Sequence, residues 1–88
     1  MPTISMFYGI LIRMYQEIGG KHNKPHFHAK YNEFEVVLAL DGTVLEGSLP
    51  ARQMKMVEAW AAIHEDELRA NWQLLSEGEA AFKIEPLK

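Results

Sequence analysis

The stretch 26–47, HFHAKYNEFEVVLALDGTVLEG, decides how this chain folds. It contains three short runs, 26–31, 34–40 and 43–47, in which side chains alternate between two faces, as on β-strands. Asp41-Gly42 separates the last two and predicts a type I′ hairpin turn, because glycine accepts positive φ without steric cost. Asn32-Glu33 separates the first two and is a weaker form of the same signal. Two-residue turns set register. Around Asn32-Glu33, Tyr31 opposes Phe34, Lys30 opposes Glu35 and His28 opposes Val37. Around Asp41-Gly42, Leu40 opposes Thr43, Leu38 opposes Leu45 and Val37 opposes Glu46. One face then carries Phe27, Ala29, Tyr31, Phe34, Val36, Leu38, Leu40 and Leu45, and must be core. The other carries His26, His28, Lys30, Glu35, Val37, Ala39, Val44 and Glu46, and faces solvent or a partner. An expected Lys30–Glu35 cross-strand ion pair, worth under ~1 kcal/mol, agrees with this register. A one-residue slip would bury His26, His28 and Lys30 together, at high desolvation cost.

Working outward, residues 3–15 read as one strand-like stretch. Ile4, Met6, Tyr8, Ile10, Ile12 and Met14 share one face at period two, and Gly9 marks a bulge or bend. Residues 16–25, with Gly19-Gly20, form a loop. From 49 to 77 the period becomes helical, with Met54, Val57, Ala61, His64, Leu68, Trp72 and Leu75 on one stripe. A single straight helix there would be ~40 Å long. That exceeds what a domain with a radius of gyration of ~12 Å accommodates. A bend or break is therefore expected near residues 63–66. His64 is placed to cap a second helix, whose positive end suits Glu65, Asp66 and Glu67. Gly78 ends the helical region, and Phe82 and Ile84 give the tail 78–88 the makings of a short edge strand. The expected fold is α+β in one domain, 1–88: a three- to four-stranded antiparallel meander over 1–47, with one bent helix or two consecutive helices packed on one face.

Composition narrows the function classes. At 48% hydrophobic and 24% charged residues the chain has a globular balance, not a disordered one. The absence of cysteine excludes disulfides and thiolate zinc sites, so a metal would need His, Asp or Glu. A net charge of −3 argues against non-specific coating of nucleic acid. No apolar stretch approaches the ~18 residues of a membrane span. Residues 6–12 lack the basic leader of a signal peptide, so a cytoplasmic, non-membrane protein is expected.

Several motifs act together: Pro2-Thr3-Ile4-Ser5, Phe7-Tyr8-Gly9-Ile10, Ile12-Arg13-Met14-Tyr15, Pro25-His26-Phe27-His28-Ala29, Glu46-Gly47-Ser48-Leu49-Pro50, Asn71-Trp72 and Ile84-Glu85-Pro86-Leu87. In this combination the chain resembles the domain of unknown function 4160 family over nearly its whole length. The resemblance implies a small stand-alone bacterial protein, loosely associated with genes that resemble toxin–antitoxin or regulatory modules. It implies no established activity, and the chemistry has to come from the residues.

His22, His26 and His28 fall within seven residues. His26 and His28 are two apart, so on a strand they project from one face and form a two-point chelate for a divalent metal such as zinc. His22 is a candidate third ligand. Glu46 shares the cross-strand row of His28 but stands two strands away, ~10 Å, which suits an outer-shell role. Arg13 and Lys30 are supporting cations. Three readings follow. The leading one is a non-enzymatic interaction or regulatory module, toxin–antitoxin-associated by resemblance, acting as a homodimer or with a protein partner through its mixed sheet face. The second is a metal-binding protein or metal-dependent hydrolase using the histidines. The third is a metal-independent RNA-cleaving enzyme with histidine acid and base and a phosphate held by Arg13, Lys21 or Lys30. Gly19-Gly20 lacks the strand–loop–helix context of a phosphate cradle, and no Ser-His-Asp or Cys-His set is legible. Trp60 and Trp72 are read as core, and His64 as a packed or capping residue.

Overall fold

The computed structural model describes residues 3–16 and 24–88. Five strands, β1 (Thr3–Phe7), β2 (Ile10–Arg13), β3 (His26–Tyr31), β4 (Phe34–Ala39) and β5 (Val44–Ser48), are followed by α1 (Ala51–Ile63) and α2 (Glu65–Ser76). The strands form one antiparallel meander in the order β1-β2-β3-β4-β5.

The fifth strand corrects the expected three or four. Residues 3–15 are a hairpin: Tyr8 and Gly9 both take positive φ, 49° and 79°, and Phe7 pairs with Ile10. That is type I′ geometry. Tyrosine is a poor signal for such a turn, and the apolar alternation runs straight through it. The two-residue turn puts Phe7 opposite Ile10 and Met6 opposite Leu11, so Phe7 takes the core face and Met6 is 64% exposed. A one-residue register shift between Thr3 and Ser5 leaves Ile4 buried as well.

The β3–β4 register is the expected one throughout, from His26 opposite Ala39 to Tyr31 opposite Phe34. The β4–β5 turn differs. The Gly42 amide donates to the Ala39 carbonyl at 2.9 Å and the Ala39 amide to the Thr43 carbonyl at 2.8 Å. This is a three-residue loop with Gly42 at φ +96°, a type I turn closed by a glycine bulge. Val44, instead of Leu45, consequently sits opposite Leu38. A second irregularity between Val37 and Leu38 cancels the offset, and Val37 still faces Glu46.

The helical region is two helices. The longest molecular dimension is 34 Å, too short for an unbroken helix over 51–76, and the chain breaks at His64 (φ −111°, ψ 24°). Three acids, Glu65, Asp66 and Glu67, open α2. The His64 ring donates to the Glu67 carboxylate and makes no side-chain cap to the backbone. At the other end Gly78 takes φ +81°, its amide bonds Leu75 and the Glu79 amide bonds Leu74, a Schellman closure.

Trp60 of α1 places this helix on the Phe27 face of the sheet, its ring centroid 5.5 Å from Phe7 and 5.9 Å from Phe27. Val57, Ala61 and Leu68 join Ile12, Val36 and Leu38 in the same core. The tail is strapped over this core. Buried Asn71 binds both backbone groups of Phe82, at 2.8 and 2.9 Å, Trp60 Nε1–H donates to the Glu85 carbonyl at 2.8 Å, and the Ile84 amide donates to the Ile4 carbonyl at 2.7 Å. Ile84 thus lies along the β1 edge through one backbone bond, and the tail forms no strand. Among the described residues no helix is long and apolar enough to cross a membrane.

Candidate functional site

Strand pairing builds the site on the sheet face away from Trp60. One row crosses all five strands as Thr3–Arg13–His28–Val37–Glu46. The next runs Met6–Leu11–Lys30–Glu35–Ser48. His26 follows opposite Ala39 at the end of the sheet where β3 begins. The expected alternation therefore does bring His26, His28, Lys30 and Glu46 to one side, with Arg13 directly opposite His28.

The face is not uniformly open. His26 is fully buried and His28 is 8% exposed, whereas Lys30, Glu35 and Ser48 are exposed. The Tyr15 ring stacks on His28 with centroids 4.8 Å apart. Trp72 of α2 comes within 5.3 Å of His26, and Gln16 donates to the Ser76 hydroxyl at 2.8 Å beside it. So α2 reaches past the core face to the end of the sheet that holds His26. Trp72, read from sequence as core in preference to a ligand platform, also forms a wall of this site.

Both imidazoles are oriented by oxygen. His26 Nδ1 lies 2.7 Å from the Lys24 carbonyl, and His28 Nδ1 lies 3.0 Å from the Glu35 carboxylate. An oxygen acceptor requires a proton on Nδ1, so a ring that carries a single proton holds its lone pair on Nε2. The ring centroids are 5.3 Å apart in an edge-on arrangement. Glu35 was expected to pair with Lys30. It turns instead to His28, its diagonal neighbour, because a buried N–H left without an acceptor costs more than an exposed ammonium left in water. Lys30 makes no ion pair among the described residues.

Arg13 Nε is buried and has no hydrogen-bond acceptor among the described residues, and the buried Ser5 hydroxyl likewise has none. His22 and Lys21 lie outside the described residues, as does Gly19-Gly20. Among the described residues no group of three or more His, Asp or Glu is placed to hold a metal ion. Chemically, the arrangement offers two imidazoles, each anchored by oxygen at Nδ1, beside an arginine. Tyr15, Glu35 and Trp72 are site residues that pattern reading missed. Glu35 alone carried a signal, as a diagonal cross-strand neighbour of His28.

The family described as "Domain of unknown function (DUF4160)" matches residues 9–73. The chain belongs to the DUF4160 family. The matched span contains every residue of the two rows from β2 to β5, together with His26, Tyr15 and Trp72, and stops before the tail. No curated protein and no solved structure matches this DUF4160 chain. The family name carries no activity, so function rests on the geometry above.

Proposed function

We propose that this DUF4160 chain is a small non-enzymatic interaction module of regulatory type, and that it binds a protein partner through the sheet face turned away from α1. The observation that carries this reading is the row Met6–Leu11–Lys30–Glu35–Ser48. It joins an exposed methionine and a half-buried leucine to exposed charges of both signs. Such a mixture of apolar and charged side chains on one exposed row is the composition of a non-obligate protein interface. The partner it fits presents its own apolar patch flanked by an acid and a base. The test compares wild type with Leu11→Asp and Met6→Asp, each verified as folded by its thermal transition. Specific binding, to self or to another protein, should be lost in both variants. Binding that survives both, or a wild type that associates with nothing, overturns the reading.

One observation favours a second reading, divalent metal binding at His26 and His28. Metal-ligating histidines ordinarily donate their other ring N–H to a carbonyl or carboxylate, the bonds that Lys24 and Glu35 accept here. With two protein ligands from the described residues, affinity for zinc would be modest. Calorimetric titration with zinc at neutral pH should give saturable heat that His26→Ala with His28→Ala abolishes. No heat, or heat unchanged by the substitutions, removes it.

A further inference from the structure

The β1 edge of the sheet is only half covered. The Ile84 amide donates to the Ile4 carbonyl, and there the tail's pairing stops. Were the tail to continue as a parallel strand, the next bond, to the Met6 carbonyl, would come from the amide of residue 86; as an antiparallel strand, from that of residue 82. Residue 86 is proline and has no N–H, and the Phe82 amide is held by the Asn71 side chain at 2.9 Å. Neither direction lets the tail reach Met6. In a two-residue hairpin the pair flanking the turn, here Phe7 and Ile10, bonds across it. The backbone groups of Met6, one residue further along, therefore point away from β2. Met6 offers an amide and a carbonyl at the open edge, and among the described residues no backbone bond from the tail meets either.

Beside them a groove of about 330 Å³ lies between residues 3–6 and 83–86, small for a ligand pocket. Ser5, 6% exposed, lines it, and its buried hydroxyl has no hydrogen-bond partner among the described residues. We infer that an extended polypeptide segment of a partner protein adds to the sheet at Met6, its main chain bonding the Met6 amide and carbonyl and a polar group of it meeting the Ser5 hydroxyl. Alternating main-chain donors and acceptors are what an extended segment carries and a compact ligand lacks. Met6 also begins the exposed row of the interaction reading, on which this rests, so edge and face form one continuous surface. The opposite edge, β5, is broken by a register irregularity and by Gly47 at φ +79°, features that turn an edge away from pairing.

The probe is a capped seven-residue peptide of alternating valine and threonine, titrated into the isotope-labelled full chain and followed by NMR. The Met6 amide should shift downfield and saturate at millimolar peptide, with the Ile84 amide responding beside it. Met6→Pro removes the edge N–H and leaves the bonds to β2 in place, as proline at an edge position does. It should weaken binding about tenfold, whereas Met6→Leu, which keeps the N–H, should not. The same peptide with every amide N-methylated should not bind, and it carries the test alone if the thermal transition shows Met6→Pro to be unfolded. No saturable shift at Met6, or binding indifferent to both the proline and the methylation, overturns the proposal. Met6 shifts that follow protein concentration without peptide would place the edge of a second copy there, and overturn it too. If the edge fails while Leu11→Asp still abolishes association with a protein partner, the interaction reading stands without it.

Discussion

Gly47 has no room for a side chain. A Cβ built there would lie 2.2 Å from the Glu35 carbonyl oxygen, and the backbone sits at φ +79°. Both the clash and the left-handed conformation act against any other residue. Gly47→Ala is expected to cost about 2–4 kcal/mol, read as a lower denaturant midpoint at unchanged slope; a midpoint within experimental error of wild type would refute this. The consequence reaches the site, because the backbone in the way belongs to Glu35, whose carboxylate orients His28. At this scale the sequence exposes residue types and spacing, and little about partners. His26 and His28 are visibly two apart, so a shared face follows from strand alternation alone. Their burial, and the exchange of Lys30 for His28 as the partner of Glu35, depend on which groups lose water. That quantity is absent from a list of residues.

The β4–β5 hairpin shows how an element can be right in outcome and different in construction. Its loop has three residues where the Asp-Gly signal predicts two, and a compensating irregularity between Val37 and Leu38 keeps Glu46 in the row of His28. Asp41 is part of that construction. Its carboxylate accepts the Thr43 amide at 3.0 Å. That bond first, and the Thr43 hydroxyl second, hold its pKa below the ordinary 3.8. A lowered folded-state pKa contributes stability that is present above the unfolded value and lost as pH falls through the folded one. The Asp41 carboxyl and the Thr43 amide should therefore titrate together in NMR, with one midpoint below 3.8, and the amide response should vanish in Asp41→Asn. A midpoint at or above 3.8 would contradict the bond. The β1–β2 turn was the element least accessible to pattern. Tyr8 at positive φ is an uncommon choice for a residue with a Cβ, tolerated because the paired strands on either side hold it there. The break at His64 was legible for the opposite reason, since a length argument needs no local signal.

At the scale of the whole molecule, the tail turns a sheet with two helices into one cooperative body. Asn71 acts as a surrogate backbone: fully buried, it pairs with both the amide and the carbonyl of Phe82. Asn71→Ala would strand two backbone groups and should cost about 2–4 kcal/mol. It should also speed hydrogen exchange at the Ile84 amide, which bonds the Ile4 carbonyl. Stability and exchange both unchanged would show that the tail holds without Asn71. Strand alternation, turn chemistry and helical period are local properties, and from them follow the α+β class, the β3–β4 register, the pairing of Val37 with Glu46, the helix break and the side on which His26 and His28 lie. Burial of the histidines, the Trp72 wall, the Asn71 strap and the alignment of Arg13 with His28 across strands are contacts between distant segments. They are decided by packing and desolvation in three dimensions, which no window of sequence contains.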